Sequence, residues 1–288
     1  MSTIFYRTRQ VGEVTMFYRE AGAVDAPVLL LLHGFPTSSH MFRDLIPLLA
    51  QRYRVIAPDL PGFGLTQAPA HGEYPYSFDA LARTLDGFVE ALELERFALY
   101  VFDYGAPIGF RLAVRHPERV TAIVTQNGNA YEEGFSAEWG PWEAYWRDPS
   151  PANREACRAS LTAEAIRFQH QHGAPVGAVA PDNWLLDQHF LERTDAIEIQ
   201  LDLILDYRSN IARYPDFHAY LRKHQPPLLA AWGRHDAFFL PAGAKAYARD
   251  VPEAEIHLLD AGHFALHTRC AEIAGLIDDF LDRRLVRR

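Results

Sequence analysis

Cysteine is scarce in this chain: two in 288 residues, Cys157 and Cys270. Their spacing is unlike that of a metal site, and nothing supports the single disulfide they are able to form. The expectation is a reduced, cytoplasmic compartment, with no metal and no cofactor. Long apolar runs are also missing. Val28-Leu29-Leu30-Leu31-Leu32 is far too short to cross a bilayer, and residues 1–10 lack the apolar core of a signal peptide. There is no excess of positive charge. The net charge of −9 argues against nucleic acid as a partner, and the basic tail, Arg283-Arg284-Leu285-Val286-Arg287-Arg288, reads as the solvated end of an amphipathic helix. No internal repeat or low-complexity stretch is evident. What remains is a chain 49% apolar, ample for a sizeable core, and of a length that suits one large domain carrying an insertion.

Strand-like and helix-like segments alternate through most of that length. Residues 4–9 and 14–20 read as two strands. The run at 28–32, bounded by Pro27 and His33-Gly34, reads as a strand buried on both faces. Ser38 or Ser39 is a candidate cap for a helix reaching about Gln51, and Ser77 for a second helix whose inner face holds Leu81, Leu85, Phe88, Val89 and Leu92. Further strands fall at 53–57, 97–102, 120–125, 227–232 and 255–259. The alternation predicts a mostly parallel sheet with helices on both faces. It breaks between 130 and 213, where the sequence is aromatic and helical and offers no good strand. The expected organisation is an α/β core in two segments, 1–129 and 214–288, with a helical cap at 130–213.

The turn after the 97–102 strand, Asp103-Tyr104-Gly105-Ala106, leads straight into a helical pattern, which is the layout of a nucleophile elbow with a carboxylate at its tip. Serine there points to acyl transfer. Aspartate points to displacement at an sp3 carbon, leaving an alkyl ester that water must cleave. Such a nucleophile needs a base, a group to orient it and donors for developing negative charge. Asp236 follows the strand ending at Trp232, and His263 follows the one ending at Leu259. A lone Asp after a strand is commonly a helix cap, and one loop histidine among 13 is unremarkable. The joint placement at one edge of the sheet is what singles them out, in the order Asp103, Asp236, His263. The turn His33-Gly34-Phe35-Pro36 is able to aim the backbone N–H of Phe35, with that of Tyr104, as an oxyanion hole; it also reads as a plain structural turn, with a cis bond before Pro36 as an option.

With these motifs in place, the chain resembles the α/β-hydrolase superfamily over nearly its whole length. His33-Gly34-Phe35-Pro36, Asp59-Leu60-Pro61-Gly62-Phe63-Gly64, the Asp103 elbow, Asp236 and Gly262-His263 carry the resemblance. More narrowly it is similar to the branch with an aspartate nucleophile, which holds epoxide hydrolases, haloalkane dehalogenases and haloacetate dehalogenases. Val101 departs from the small residue usual two places before the nucleophile. Leu205-Asp206-Tyr207-Arg208-Ser209-Asn210 resembles the cap segment bearing a tyrosine that holds an epoxide oxygen. Trp142-Glu143-Ala144-Tyr145 resembles the segment bearing a first such tyrosine, with Trp142 rather than Tyr145 in register. The tryptophan that haloalkane dehalogenases place after the nucleophile is Tyr104 here. The arginines of haloacetate dehalogenases are replaced by Tyr104 and Pro107.

The resemblance implies a cofactor-free epoxide hydrolase in which Asp103 attacks, Tyr207 donates to the departing oxygen, and His263 oriented by Asp236 activates water. Trp142, Tyr145, His33 and Pro36 are candidate substrate contacts. The implied partners are a small apolar substrate and water, with no membrane; a homo-oligomer is compatible with the sequence. An organohalide dehalogenase with the same nucleophile is the alternative. A non-catalytic receptor on the same scaffold is a third reading, since fold does not fix function.

Overall fold

The computed structural model describes residues 3–285; residues 1–2 and 286–288, the latter the end of the basic tail, lie outside the described residues. Its eight strands are β1 (Phe5–Val11), β2 (Val14–Ala21), β3 (Val28–Leu32), β4 (Arg54–Pro58), β5 (Phe97–Phe102), β6 (Val120–Gln126), β7 (Leu228–Gly233) and β8 (Glu255–Leu259). They form one sheet in the order β1-β2-β4-β3-β5-β6-β7-β8. β2 runs antiparallel to both of its neighbours, and every pair from β4 to β8 is parallel.

The centre of the sheet follows from its apolar runs. In β3, Leu30 and Leu32 enter the core beneath the helices Phe78–Ala91 and Gly105–Arg115, while Leu29 and Leu31 enter the opposite core with the helices Leu45–Leu49 and Leu266–Leu285. All four leucines are fully buried, each worth about 1.5–3 kcal/mol of apolar burial. The chain leaves β3 for β4 on one side and later returns to β5 on the other. The loops after β3 and β5 therefore diverge and leave a crevice at the carboxyl edge, where open α/β sheets bind ligands.

One expected helix is interrupted. Instead of a continuous helix from Ser38 to Gln51, a 3-10 turn Ser39–Phe42 capped by Ser38 precedes the short helix Leu45–Leu49. Pro47 is the cause: it has no N–H to offer the carbonyl of Arg43 and its ring crowds that group, so the helix restarts just before it. The helix at Phe78 begins as expected, with the Ser77 hydroxyl accepting from the N–H of Ala80.

Residues 130–213 contain no strand. Their main helices are Gly140–Arg147, Pro151–Cys157, Ala163–Gln171, Asp182–Leu191 and Ala196–Asp206, and the next, Arg208–His224, runs on past residue 213. Tyr207 is the joint between the last two. Among the described residues no helix is long and apolar enough to cross a membrane. Cys157 and Cys270 are both free thiols.

Candidate active site

The elbow forms where β5 stops and the helix Gly105–Arg115 begins at once. Asp103 bridges them with φ at +47°, a left-handed conformation uncommon outside glycine, though aspartate tolerates it better than most side chains. Its side chain is buried at the carboxyl edge, with Oδ1 accepting the N–H of Phe35 at 2.6 Å. Gly34 makes this approach possible. A Cβ there would sit 2.3 Å from Asp103 Oδ1 and 2.6 Å from the backbone nitrogen of Tyr104. The Phe35–Pro36 bond is cis. Burial pushes the Asp103 carboxyl up to about 6, against the pull of His263 and the two N–H groups of Phe35 and Tyr104.

Asp236 and His263 arrive from the ends of β7 and β8. His263 Nδ1 lies 2.8 Å from Asp236 Oδ2, so Nδ1–H donates and Nε2 keeps its lone pair. Nε2 is 3.9 Å from Asp103 Oδ2, beyond hydrogen-bond length. Burial opposes a charge on this imidazole, but Asp236 and then Asp103 outweigh it and the pKa is raised. The three side chains named from strand ends are thus brought together, with one Asp103 oxygen taking the Phe35 N–H and the other facing the His263 ring.

Asn127 was not singled out in the sequence. It follows β6 with φ at +48°, donates to Asp236 Oδ2 at 2.7 Å and accepts from the N–H of Gly233 at 2.8 Å. Asp236 Oδ1 takes the N–H of Phe238 at 2.7 Å, so both its oxygens are fixed. Beneath this, Gln126 donates to the carbonyl of His263 at 2.7 Å. The available signal was position: Asn127 ends a strand at the same edge as the other three.

Above Asp103 and His263 lies a cavity of about 240 Å³, walled chiefly by aromatic side chains such as Phe35, Trp139, Trp142 and Phe238. It meets solvent where the exposed residues Glu138, Pro141, Ala159 and Phe168 line it. Trp142 does line the cavity, but its indole N–H is committed to Ser160 at 2.9 Å. Those of Trp139 and Trp146 go to the carbonyls of Phe238 and Ile204.

Three expected substrate contacts do not line this cavity. The His33 ring is spent on structure, donating from Nδ1 to the carbonyl of Gly34 and accepting the Leu60 N–H at Nε2. Pro36 is buried in the same turn. The Tyr145 hydroxyl accepts from Arg154 at 3.0 Å, within an ion-pair network of Arg154, Glu198 and Asp202 that draws it into the cap.

Tyr207 is fully buried among aromatic rings, with Trp139 4.8 Å and Tyr104 5.7 Å away between centroids. Among the described residues its hydroxyl makes no hydrogen bond of normal geometry, nor does that of Tyr104, although the Tyr214 hydroxyl is close enough to Tyr207 to act on its phenol. Burial, then Tyr214 and Asp103, hold its phenol well above its ordinary pKa, so it is a protonated donor. Buried polar groups are nearly always paired, which sets these two phenols apart, although neither Tyr207 nor Tyr104 lines the cavity over Asp103 and His263.

The helical segment 130–213 meets the rest of the fold close to the histidine. Past the end of the helix Ala163–Gln171, the backbone touches the residue before His263. A Cβ on Gly262 would lie 1.7 Å from the carbonyl oxygen of His172, and one on Gly173 2.7 Å from the Cα of Gly262. His170 joins Asp187 of the cap and His267 of the core at 2.9 Å each.

Comparison with known proteins agrees with this architecture. The family described as alpha/beta hydrolase fold matches residues 27–269. An uncharacterized hydrolase of Saccharomyces cerevisiae is 46% identical over 275 residues, covering 94% of each chain. A haloalkane dehalogenase of Mesorhizobium japonicum is 41% identical over 148 residues, 51% of this chain and 44% of that one. The crystal structure of haloalkane dehalogenase DbeA from Bradyrhizobium elkani has the same fold, with a TM-score of 0.79 at 24% identity over 96% of this chain and 99% of that one. The chain is a hydrolase of the α/β-hydrolase fold family, similar to the haloalkane dehalogenases.

Proposed function

We propose that this hydrolase opens epoxides to diols through an alkyl ester on Asp103. Oδ2 of Asp103 attacks an epoxide carbon, the C–O bond breaks, and the oxygen takes the proton of Tyr207. His263 Nε2 then removes a proton from water as the oxygen attacks the ester carbonyl carbon. The N–H groups of Phe35 and Tyr104 hold the oxyanion. Collapse expels the diol, whose new alkoxide takes the proton from His263; Asp103, left as the acid, gives its proton to solvent, and Tyr207 regains one from solvent. Phe35, Trp142 and the other aromatic walls hold the apolar end of the substrate, and the segment 130–213 acts as the cap. The two free thiols fit a reducing, cytoplasmic setting.

The observation that carries this reading is the choice of donors. An alkoxide leaves only when protonated or strongly hydrogen-bonded, and the Tyr207 phenol, buried without a hydrogen bond among the described residues, is near enough to Asp103 to feel its charge. The indole N–H groups that would solvate a halide are taken by protein acceptors. A second reading, dehalogenation of a neutral organohalide by the same nucleophile, is favoured by the likeness to haloalkane dehalogenases.

The test is the intact mass of His263→Gln after exposure to panels of epoxides and haloalkanes. An adduct of the full epoxide mass is expected. An adduct of haloalkane minus HX, without an epoxide adduct, assigns dehalogenation, and no adduct from either panel removes Asp103 as the nucleophile and favours a receptor.

The raised pKa of Asp103 adds a pH dependence. Because the carboxyl is neutral below about 6 and only the carboxylate attacks, ester formation should slow as pH falls through that value. The expected loss is about tenfold between pH 7 and pH 5. Quenched-flow mass spectrometry of the wild-type enzyme measures it, and a flat profile over that span would contradict it.

A further inference from the structure

Gln169, in the last turn of the helix Ala163–Gln171, lines the same cavity as Asp103 and His263. It is 6% exposed and forms no side-chain hydrogen bond with the described residues. The other polar groups of the lining are engaged or wet. Asp103 and His263 are bonded to Phe35 and Asp236, Ser160 joins Trp142 to the carbonyl of Cys157, and Glu138 stands exposed at the mouth. A primary amide offers two donors and an acceptor, and since those of Gln169 are neither fully buried nor bonded to the described residues, they face the space of the cavity. Gln169 is also held in place by its neighbours. His170 is bonded on both ring nitrogens, and Gly173 rests on Gly262.

The charge of the cavity narrows what this amide meets. Among the described residues no Lys or Arg lines it, while two carboxylates, Asp103 and Glu138, do. An anionic substrate would therefore enter against repulsion with no cation to receive it. A neutral oxygen function, a hydroxyl, ether or carbonyl, suits an uncharged amide.

We propose that Gln169 is a specificity-determining residue that hydrogen-bonds a neutral oxygen substituent of the substrate, so that the preferred substrate is a small epoxide bearing such a group away from the ring. This rests on the epoxide reading above. A few fixed polar groups in an apolar pocket set orientation and selectivity, and a site built to bond a hydroxyl discriminates strongly against the analogue lacking it.

The test compares 5,6-epoxyhexan-1-ol with 1,2-epoxyhexane in wild type and in Gln169→Met, which keeps an unbranched side chain of similar length without its amide. The ratio of the two kcat/KM values is the readout. In wild type the hydroxyl should raise kcat/KM by about tenfold or more, and in Gln169→Met the ratio should fall below about threefold. An equal ratio in the two proteins overturns the proposal.

The same ratio is read with 6-bromohexan-1-ol and 1-bromohexane. A Gln169-dependent preference there, without epoxide turnover, upholds the role of Gln169 and overturns the epoxide reading. Calorimetric titration of Asp103→Asn and Asp103→Asn/Gln169→Met with both epoxides forms no bond and covers the case of a silent wild type. A hydroxyl preference lost with the amide supports the assignment, and its absence from both proteins rejects it. Thermal melting of each variant guards against misfolding, and Gln169→Leu replaces Gln169→Met if the latter does not fold.

Discussion

Exchanging Asp103 for Asn should abolish epoxide turnover and at the same time make the fold more stable. The kinetic loss is expected to be on the order of 10⁴-fold or more, the scale seen when a covalent nucleophile is removed. The gain in stability has an independent origin. Burial holds the folded-state carboxyl at about 6 rather than 3.8, so carrying its charge into the fold costs about 3 kcal/mol at neutral pH. The Asn side chain keeps an oxygen for the N–H of Phe35 and carries no charge, so a gain of about 2 kcal/mol remains after imperfect replacement.

The sign fixes the pH window. A carboxyl whose pKa is raised on folding penalises the fold fully above about 6, progressively less as pH falls, and not at all below 3.8. Denaturant melts of wild type and Asp103→Asn at pH 7.5 and pH 4.5 measure it. The variant should be the more stable at pH 7.5, with the advantage largely gone at pH 4.5. A variant less stable at pH 7.5 would show that Asp103 contributes to the fold, and that its burial is no sign of a reactive site.

The second large effect is expected from Tyr207→Phe. Loss of the acid should lower kcat/KM for epoxides by about 10²–10³-fold, the range for a positioned proton donor. Stability should hold or rise slightly, because the hydroxyl is buried without a partner and its removal breaks no bond. Haloalkane turnover, where present, should hardly change, since halide needs no proton. Tyr104→Phe is the comparison that locates the acid, as the two rings lie 5.7 Å apart and both hydroxyls are unpaired. A loss confined to Tyr104→Phe moves the role to Tyr104. Full activity in both variants removes phenol catalysis altogether.

The architecture was legible because buried parallel strands announce themselves. β3, β5 and β7 are unbroken apolar runs ended by turn residues, and Asp103 and Asp236 stand just past two of them, while His263 follows β8, a weaker run that carries Glu255 and His257. The core could be read locally because each strand supplies its own signal. The cap could not. Which acceptor takes the indole N–H of Trp142, or that Tyr145 turns toward Arg154, depends on how separate helices meet. Periodicity within one helix does not contain that information. Asn127 and Gln169 were missed for a related reason. An amide looks alike in sequence whether it faces solvent, holds a carboxylate or lines a cavity. The break at Pro47, by contrast, is a local effect that the residue itself dictates.

The contact between Gly173 and Gly262 bears on how molecules come and go. A cap that lifted as a lid would have to pull apart a pair of backbones seated against each other and break the bond between His170 and His267. A molecule that reaches Asp103 with that contact intact has to pass the exposed part of the lining, at Glu138, Pro141, Ala156, Ala159 and Phe168. Selection then begins as a matter of passage, before any bond is made.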